Sequence, residues 1–119
     1  RTLNLYIRNR PTVSAGRRKA VVLTNRRSYS ATNDFVNTMR QFPNVTTMGD
    51  TTGGGSGLPF SSEIPNGWSI RFSASPMFDP DMNQLEFGIE PDVKVDMTSE
   101  DMQQGKDTII ETAIKKLKN

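Results

Sequence analysis

The sequence predicts an α/β layer structure, and three observations carry that prediction. Val21, Val22 and Leu23 form a short apolar run bounded by charged and polar residues, which reads as a strand covered on both faces. A helix-spaced set, Phe35, Val36 and Met39, follows it in the chain. Further on, two alternating segments bracket Pro65-Asn66-Gly67, the pattern of a hairpin. Strands followed by helices, with no internal repeat and no linker long enough to divide the chain, place all 119 residues in one domain.

Taken in order, residues 3–8 alternate apolar Leu3, Leu5 and Ile7 with polar neighbours, as a half-buried strand does, and Pro11 ends the run. Residues 19–24 give the next strand. Helix signals begin at Ala31 and Pro43 lies just past their end, so Ser30 falls at or beside the N-cap. Residues 45–48 are the following strand, and the Gly/Thr tract of residues 49–57 reads as a flexible loop. Residues 58–64 and 68–74 form the hairpin, with Trp68, Ile70, Phe72 and Ala74 alternating with Ser69, Arg71 and Ser73. Phe60 and Trp68 are read either as core or as the lining of a substrate pocket, core being the default for aromatics at strand spacing. Residues 76–84 are an irregular polar connection, and residues 86–95 a short extended segment interrupted by Pro91. Thr98-Ser99-Glu100-Asp101 has the form of a capping box. Ile109, Ile110, Ala113, Ile114 and Leu117 then make one stripe of a closing helix that packs on the sheet, with Lys115, Lys116 and Lys118 near its C-terminus.

Composition removes several kinds of chemistry. There is no Cys, hence no disulfide and no thiolate metal site, and no His, the commonest general base and metal ligand. Hydrophobic residues make up 34% of the chain, and no apolar stretch is long enough to span a bilayer. The chain shows no signal-peptide pattern and opens on Arg1 rather than Met, as a fragment or processed product would. Arg8, Arg10, Arg17, Arg18, Lys19, Arg26, Arg27 and Arg40 crowd the first third, opposed only by Asp34. They lack the interleaved aromatics of single-strand binders, so solvated surface or contact with another part of the protein is the better reading than nucleic acid. Asp79, Asp81, Asp92 and Asp96 match no calcium loop, and the glycine tract lacks the Lys of a phosphate loop; no metal or cofactor is expected.

The residue that calls for explanation is Ser30. A strand leading to a small hydroxyl residue that opens a helix presents a nucleophile well, because the first helical N–H groups point at the oxygen that becomes charged. Without further context an N-cap Ser is more often an ordinary cap. Ser28 and Ser56 are the neighbouring hydroxyls, and neither precedes a small residue and a helix as Ser30 does.

Further landmarks then fall in series: Val21-Val22-Leu23-Thr24-Asn25, Ser30-Ala31, Met48-Gly49-Asp50-Thr51-Thr52-Gly53-Gly54, Gly88-Ile89-Glu90-Pro91-Asp92-Val93, and Gly105-Lys106-Asp107 before the helix holding Ala113-Ile114. In this order they resemble the tail-specific (C-terminal-processing) serine peptidases and their relatives, the tricorn core protease and the interphotoreceptor retinoid-binding protein. The resemblance implies a crotonase-like core of the kind also found in the ClpP peptidase, a mixed sheet with packed helices. It also implies that residues 1–119 are the C-terminal portion of a catalytic domain whose N-terminal part is absent.

By the same resemblance Ser30 is the acylated nucleophile and Ala31 lends its N–H to the oxyanion hole, the second donor lying upstream. Gly53, Gly54 and Gly55 line the peptide cleft. Gly55 stands where Ser-Lys members carry the lysine base, and Asn33 where many members carry Glu. Both departures point to the tricorn-like branch, in which a His from an earlier segment is the base and a Glu orients the site; Glu86, rather than Glu90, takes that role here. The chain alone is expected to be inactive, since its base lies elsewhere.

The partner implied is a peptide or protein substrate, in an extracytoplasmic bacterial setting. Exposed strand edges, residues 3–8 among them, could pair with a second copy. The alternative reading is a non-catalytic module of the same fold that holds an extended peptide or an apolar ligand.

Overall fold

A computed structural model describes residues 18–118, so the predicted strand at residues 3–8 lies outside the described residues. The apolar run becomes β1 (Ala20–Thr24), the helical spacing α1 (Ala31–Met39), and the next apolar segment β2 (Val45–Gly49). The two strands run parallel, Ala20 opposite Val45 through Thr24 opposite Gly49, and α1 supplies the crossover that parallel neighbours require. A two-residue strand, β5 (Val93–Lys94), adds to the far side of β2, giving the order β1-β2-β5. Asp92 fastens that side. One of its carboxylate oxygens accepts from both the N–H and the hydroxyl of Thr47, at 2.8 and 2.9 Å, and its own N–H donates to the Thr47 hydroxyl.

The core sits between α1 and the chain that approaches β5. Val36, Leu85 and Ile89 are buried together, with Val22 and Met77 packed against them. Val36 reaches this cluster because the helical spacing that pairs it with Met39 turns it inward, whereas Phe35, one residue earlier, is left about half exposed. Burial of a Val or Leu side chain at such a site contributes about 1.5–3 kcal/mol.

The hairpin forms as predicted from β3 (Pro59–Glu63) and β4 (Ser69–Ser73), with Phe60 opposite Phe72 and their rings edge-on at 5.8 Å. Its turn closes through the Gly67 N–H to the Ile64 carbonyl and the Trp68 N–H to the Asn66 side chain. Two expectations are corrected here. Among the described residues the antiparallel pair is a two-stranded sheet of its own, separate from the parallel β1-β2-β5 sheet rather than joined to it. Phe60 and Trp68 are not core: they are 56% and 72% exposed. Alternation marks an apolar face but not what covers it, and a two-stranded ribbon has no second layer of its own.

The C-terminal region is two helices. Thr98 caps α2 (Ser99–Gln103) by accepting the Asp101 N–H, which is one half of a capping box; in place of the reciprocal bond the Thr98 N–H donates to the Thr108 hydroxyl, which itself donates to the Asp101 carboxylate, and the chain breaks at Gly105. Asp107 then caps α3 (Thr108–Lys118), accepting the Ile109 and Ile110 N–H groups on one oxygen. The helix α3 packs on β1 and β2 as expected, burying Ala113. Ile110, Ile114 and Leu117 from the same stripe stay partly exposed. None of the described helices is long and apolar enough to cross a membrane.

Candidate active site

β1 ends at Thr24, whose hydroxyl donates to the Asp50 carbonyl while its own carbonyl accepts the Asp50 N–H. The chain then turns sharply: the Arg27 N–H bonds the Asn25 side chain, the Ser28 N–H bonds the Asn25 carbonyl, and the Ser28 hydroxyl accepts the Asn25 N–H. Ser28 is buried within this turn and its oxygen is spent there. Tyr29 pairs in parallel with Gly54, and Ser30 stands at the N-cap of α1.

The Ser30 backbone lies at φ 58° and ψ −122°, a sparsely populated conformation for a residue with a Cβ, worth on the order of 1–3 kcal/mol of strain. The side chain gains nothing local in return, since it makes no cap hydrogen bond. Its hydroxyl takes no partner among the described residues and is not a buried, unpaired oxygen. The ordinary N-cap reading of Ser30 therefore fails on geometry. A strained strand-to-helix turn carrying a hydroxyl is the arrangement by which α/β-hydrolases expose a nucleophile.

The backbone around the hydroxyl is fixed by neighbours. The Ser30 N–H donates to the Gly54 carbonyl at 2.7 Å, and the Gly53 N–H donates to the Ser28 carbonyl at 3.0 Å. Gly55 donates to the Glu86 carbonyl at 2.9 Å. The glycine tract is thus a loop whose backbone is hydrogen-bonded on both sides, lying between residues 28–30 and 85–89 like a short ladder. The Ala31 N–H has no partner among the described residues, as expected for a first helical turn, and Ala31 is exposed. It is the donor nearest in the chain to Ser30 that remains available for an oxyanion.

Close approach bars a side chain at several of the glycines, Gly53 among them through the Arg26 carbonyl, and two more bear directly on the site. A Cβ on Gly54 would run into the Glu86 carbonyl and the Gly88 nitrogen, both backbone. One on Gly55 would enter the ring of Tyr29, which any side chain at that position would have to displace. Both sit at positive φ, 75° in each case.

Glu86 joins the site through its main chain. Its carboxylate faces the hairpin, accepting the Ser73 hydroxyl at 3.0 and 3.1 Å. Glu90 is exposed. Surface charge gathers instead beyond the C-terminal ends of β1 and β2, where Asp50 lies 3.9 Å from both Arg26 and Lys94; exposed pairs at this distance contribute little. Among the described residues there is no cluster of three acidic, His or Cys side chains that could hold a metal ion.

Sequence reasoning missed a buried polar cluster beneath the turn. Asn33 is 0% exposed; its amide donates to the Ser56 hydroxyl at 2.7 Å and the Leu85 carbonyl at 3.0 Å, and its oxygen accepts the Thr52 hydroxyl at 2.5 Å. The Ser56 hydroxyl donates to Asp34, and the Thr52 hydroxyl accepts the Ile89 N–H. The available signal was an Asn in the first turn of a helix, a residue that favours local backbone bonding over helix interiors, with Thr and Ser flanking the glycines.

Comparison with known proteins agrees with this arrangement. The chain matches peptidase family S41 over residues 5–95. Among solved structures it is similar to a protein of Parabacteroides merdae considered to be a peptidase, with 66% identity over 84% of this chain and 32% of that one, at a TM-score of 0.82. This chain thus spans about a third of that relative's length. The tricorn protease follows at 22% identity, covering 85% of this chain and 11% of that one, TM-score 0.68. Mature CPAF complexed with lactacystin has 19% identity, 79% and 19% coverage and a TM-score of 0.65. At those identities the likeness concerns the fold. No curated protein matches the chain. With the family match covering most of the sequence, and with a strained serine at the head of α1 beside a packed glycine tract, the chain belongs to peptidase family S41.

Proposed function

We propose that this chain is the nucleophile-bearing portion of a serine endopeptidase of the tail-specific type, with Ser30 forming the acyl-enzyme. The observation that carries the reading is the Ser30 backbone: a strained conformation held by the Gly54 carbonyl, with a hydroxyl that makes no cap bond and has no hydrogen-bond partner among the described residues. Strain of this kind persists only where its surroundings over-determine it, and it clusters at active sites.

In the proposed reaction the Ser30 oxygen attacks the scissile carbonyl carbon while its proton passes to a base, and the oxyanion accepts a hydrogen bond from the Ala31 N–H. Collapse expels the amine, which takes up the proton, and water then hydrolyses the acyl ester. Because the chain has no His and Tyr29 fills the space at Gly55, the base comes from residues outside this chain, as in the tricorn-like branch. Gly53, Gly54 and Gly55 form one wall of the peptide cleft, and Glu86 is the carboxylate that would orient the site once released from Ser73. The core is crotonase-like, the domain is completed by segments beyond this chain, and the setting is extracytoplasmic. Pairing of strand edges with a second copy would make the assembly a homo-oligomer.

A second reading is a non-catalytic module that holds a peptide in the same groove. It is favoured by the absence of His and by the engagement of the Glu86 carboxylate with the hairpin. Incubating the full-length protein with unstructured polypeptides separates the two. Hydrolysis that disappears in Ser30→Ala, with peptide binding retained, is the expected result; peptides bound by the parent but never cleaved would favour the second reading.

A further inference from the structure

We propose that Asn33 is a positioning residue for Ser30, acting through Thr52 and Ser56 to hold the head of α1 against the glycine tract. The inference rests on the reading of Ser30 as nucleophile and adds the device that keeps it aimed.

Proton accounting gives the cluster a single consistent arrangement. The Thr52 hydroxyl has one proton and accepts the Ile89 N–H, so it donates to the Asn33 oxygen. The Ser56 hydroxyl donates its proton to Asp34 and so must accept from the Asn33 amide, whose second N–H meets the Leu85 carbonyl. Every polar atom of the carboxamide has a partner inside a region closed to water. Thr52 and Ser56 flank Gly53, Gly54 and Gly55, and Gly54 is the residue whose carbonyl holds the Ser30 N–H. Asn33 stands three positions beyond Ser30 on the same first turn. One side chain therefore ties both ends of the tract, the strand-like segment at Leu85 and the helix that presents Ser30 and Ala31. A carboxylate in its place would face the Leu85 carbonyl and the Ser56 oxygen with no proton to offer either.

A fluorophosphonate probe, which phosphonylates a serine oxygen with loss of fluoride, reports the consequence on the full-length protein. Asn33→Asp and Thr52→Val should lower the maximal rate of Ser30 labelling by about 10- to 100-fold, as expected for a misplaced reacting group, while the concentration for half-maximal rate moves less than about twofold. Thr52→Ser keeps the hydroxyl and should label within about threefold of the parent, a rescue that a packing role alone would not give. Should Asn33→Asp fail to fold, the Thr52 pair decides. Parental labelling rates in folded Asn33→Asp or Thr52→Val, or equal losses in Thr52→Val and Thr52→Ser, overturn the positioning role and leave the nucleophile in place. A parent protein that is not labelled at Ser30 overturns both.

Discussion

Replacing Ser30 by Gly should make the protein more stable while abolishing its chemistry, and the size of the gain follows from the site. The residue sits at φ 58°, where a Cβ is costly, and relief of that strain is worth on the order of 1–3 kcal/mol. Glycine also enlarges the freedom of the unfolded chain, which takes back about 0.4–1 kcal/mol. The usual loss of about 1 kcal/mol for removing an N-cap serine does not apply, because the hydroxyl makes no cap bond. The net expectation is a gain of about 1.3 kcal/mol at the middle of these ranges, within limits of about 0–2.6 kcal/mol. Ser30→Ala keeps the Cβ and its strain, so its stability should stay within about 0.5 kcal/mol of the parent. Urea unfolding of the full-length protein resolves both, since slopes of about 1–3 kcal/mol per molar turn the central gain for the Gly variant into a midpoint shift of about 0.4–1.3 M. Destabilisation of Ser30→Ala by a full kcal/mol would mean that the hydroxyl is a structural cap, and the reasoning would fail.

Three further outcomes are expected. Gly55→Lys should not create a Ser-Lys dyad, because its Cβ would collide with the Tyr29 ring; peptide hydrolysis should not rise at any pH, and a variant that gains activity contradicts the packing described. Leu85→Ala should cost about 2–5 kcal/mol in urea unfolding, as deletion of a buried side chain packed on Val36 and Ile89 does, and a loss well under 1 kcal/mol would show that this core is not closed. The third concerns acid. The Thr108 and Thr98 hydroxyls hold the Asp101 carboxyl below its ordinary value of 3.8, so the corner between α2 and α3 has its full stability above that pH and loses it as pH falls through the depressed folded value. Amide exchange at the start of α3 should accelerate over that acid range in the parent. Asp101→Asn should remove the dependence.

Much of the fold was legible because it depends on local pattern. Val21 to Leu23, the spacing of Val36 and Met39, and Pro65-Asn66-Gly67 each specify an element by sequence neighbours alone, and each element formed. What covers a face was not legible. Trp68 and Phe60 alternate as core residues do, yet pairing within the hairpin leaves them open, and Ile110, Ile114 and Leu117 are only partly covered although their stripe is continuous. At the site, the junction of strand and helix located Ser30, but its unusual backbone is imposed from a distance by Gly54, about which the local sequence is silent. The glycine tract reads as a flexible loop on composition; the bonds that hold it come from carbonyls of Ser28 and Glu86 and from buried Asn33, all remote in sequence. Long-range hydrogen bonds of single polar side chains leave no periodic trace, which is why Asn33 registered only as an unusual residue.

The most direct test of the account is to locate the covalent adduct. Full-length protein treated with a fluorophosphonate and digested with trypsin releases the peptide of residues 28–40, which contains both Ser28 and Ser30. Fragment-ion sequencing should place the phosphonyl group on Ser30, and Ser30→Ala should remain unmodified. An adduct on Ser28 or Ser56, or equal modification of Ser30→Ala, would contradict the claim that this strained turn carries the nucleophile.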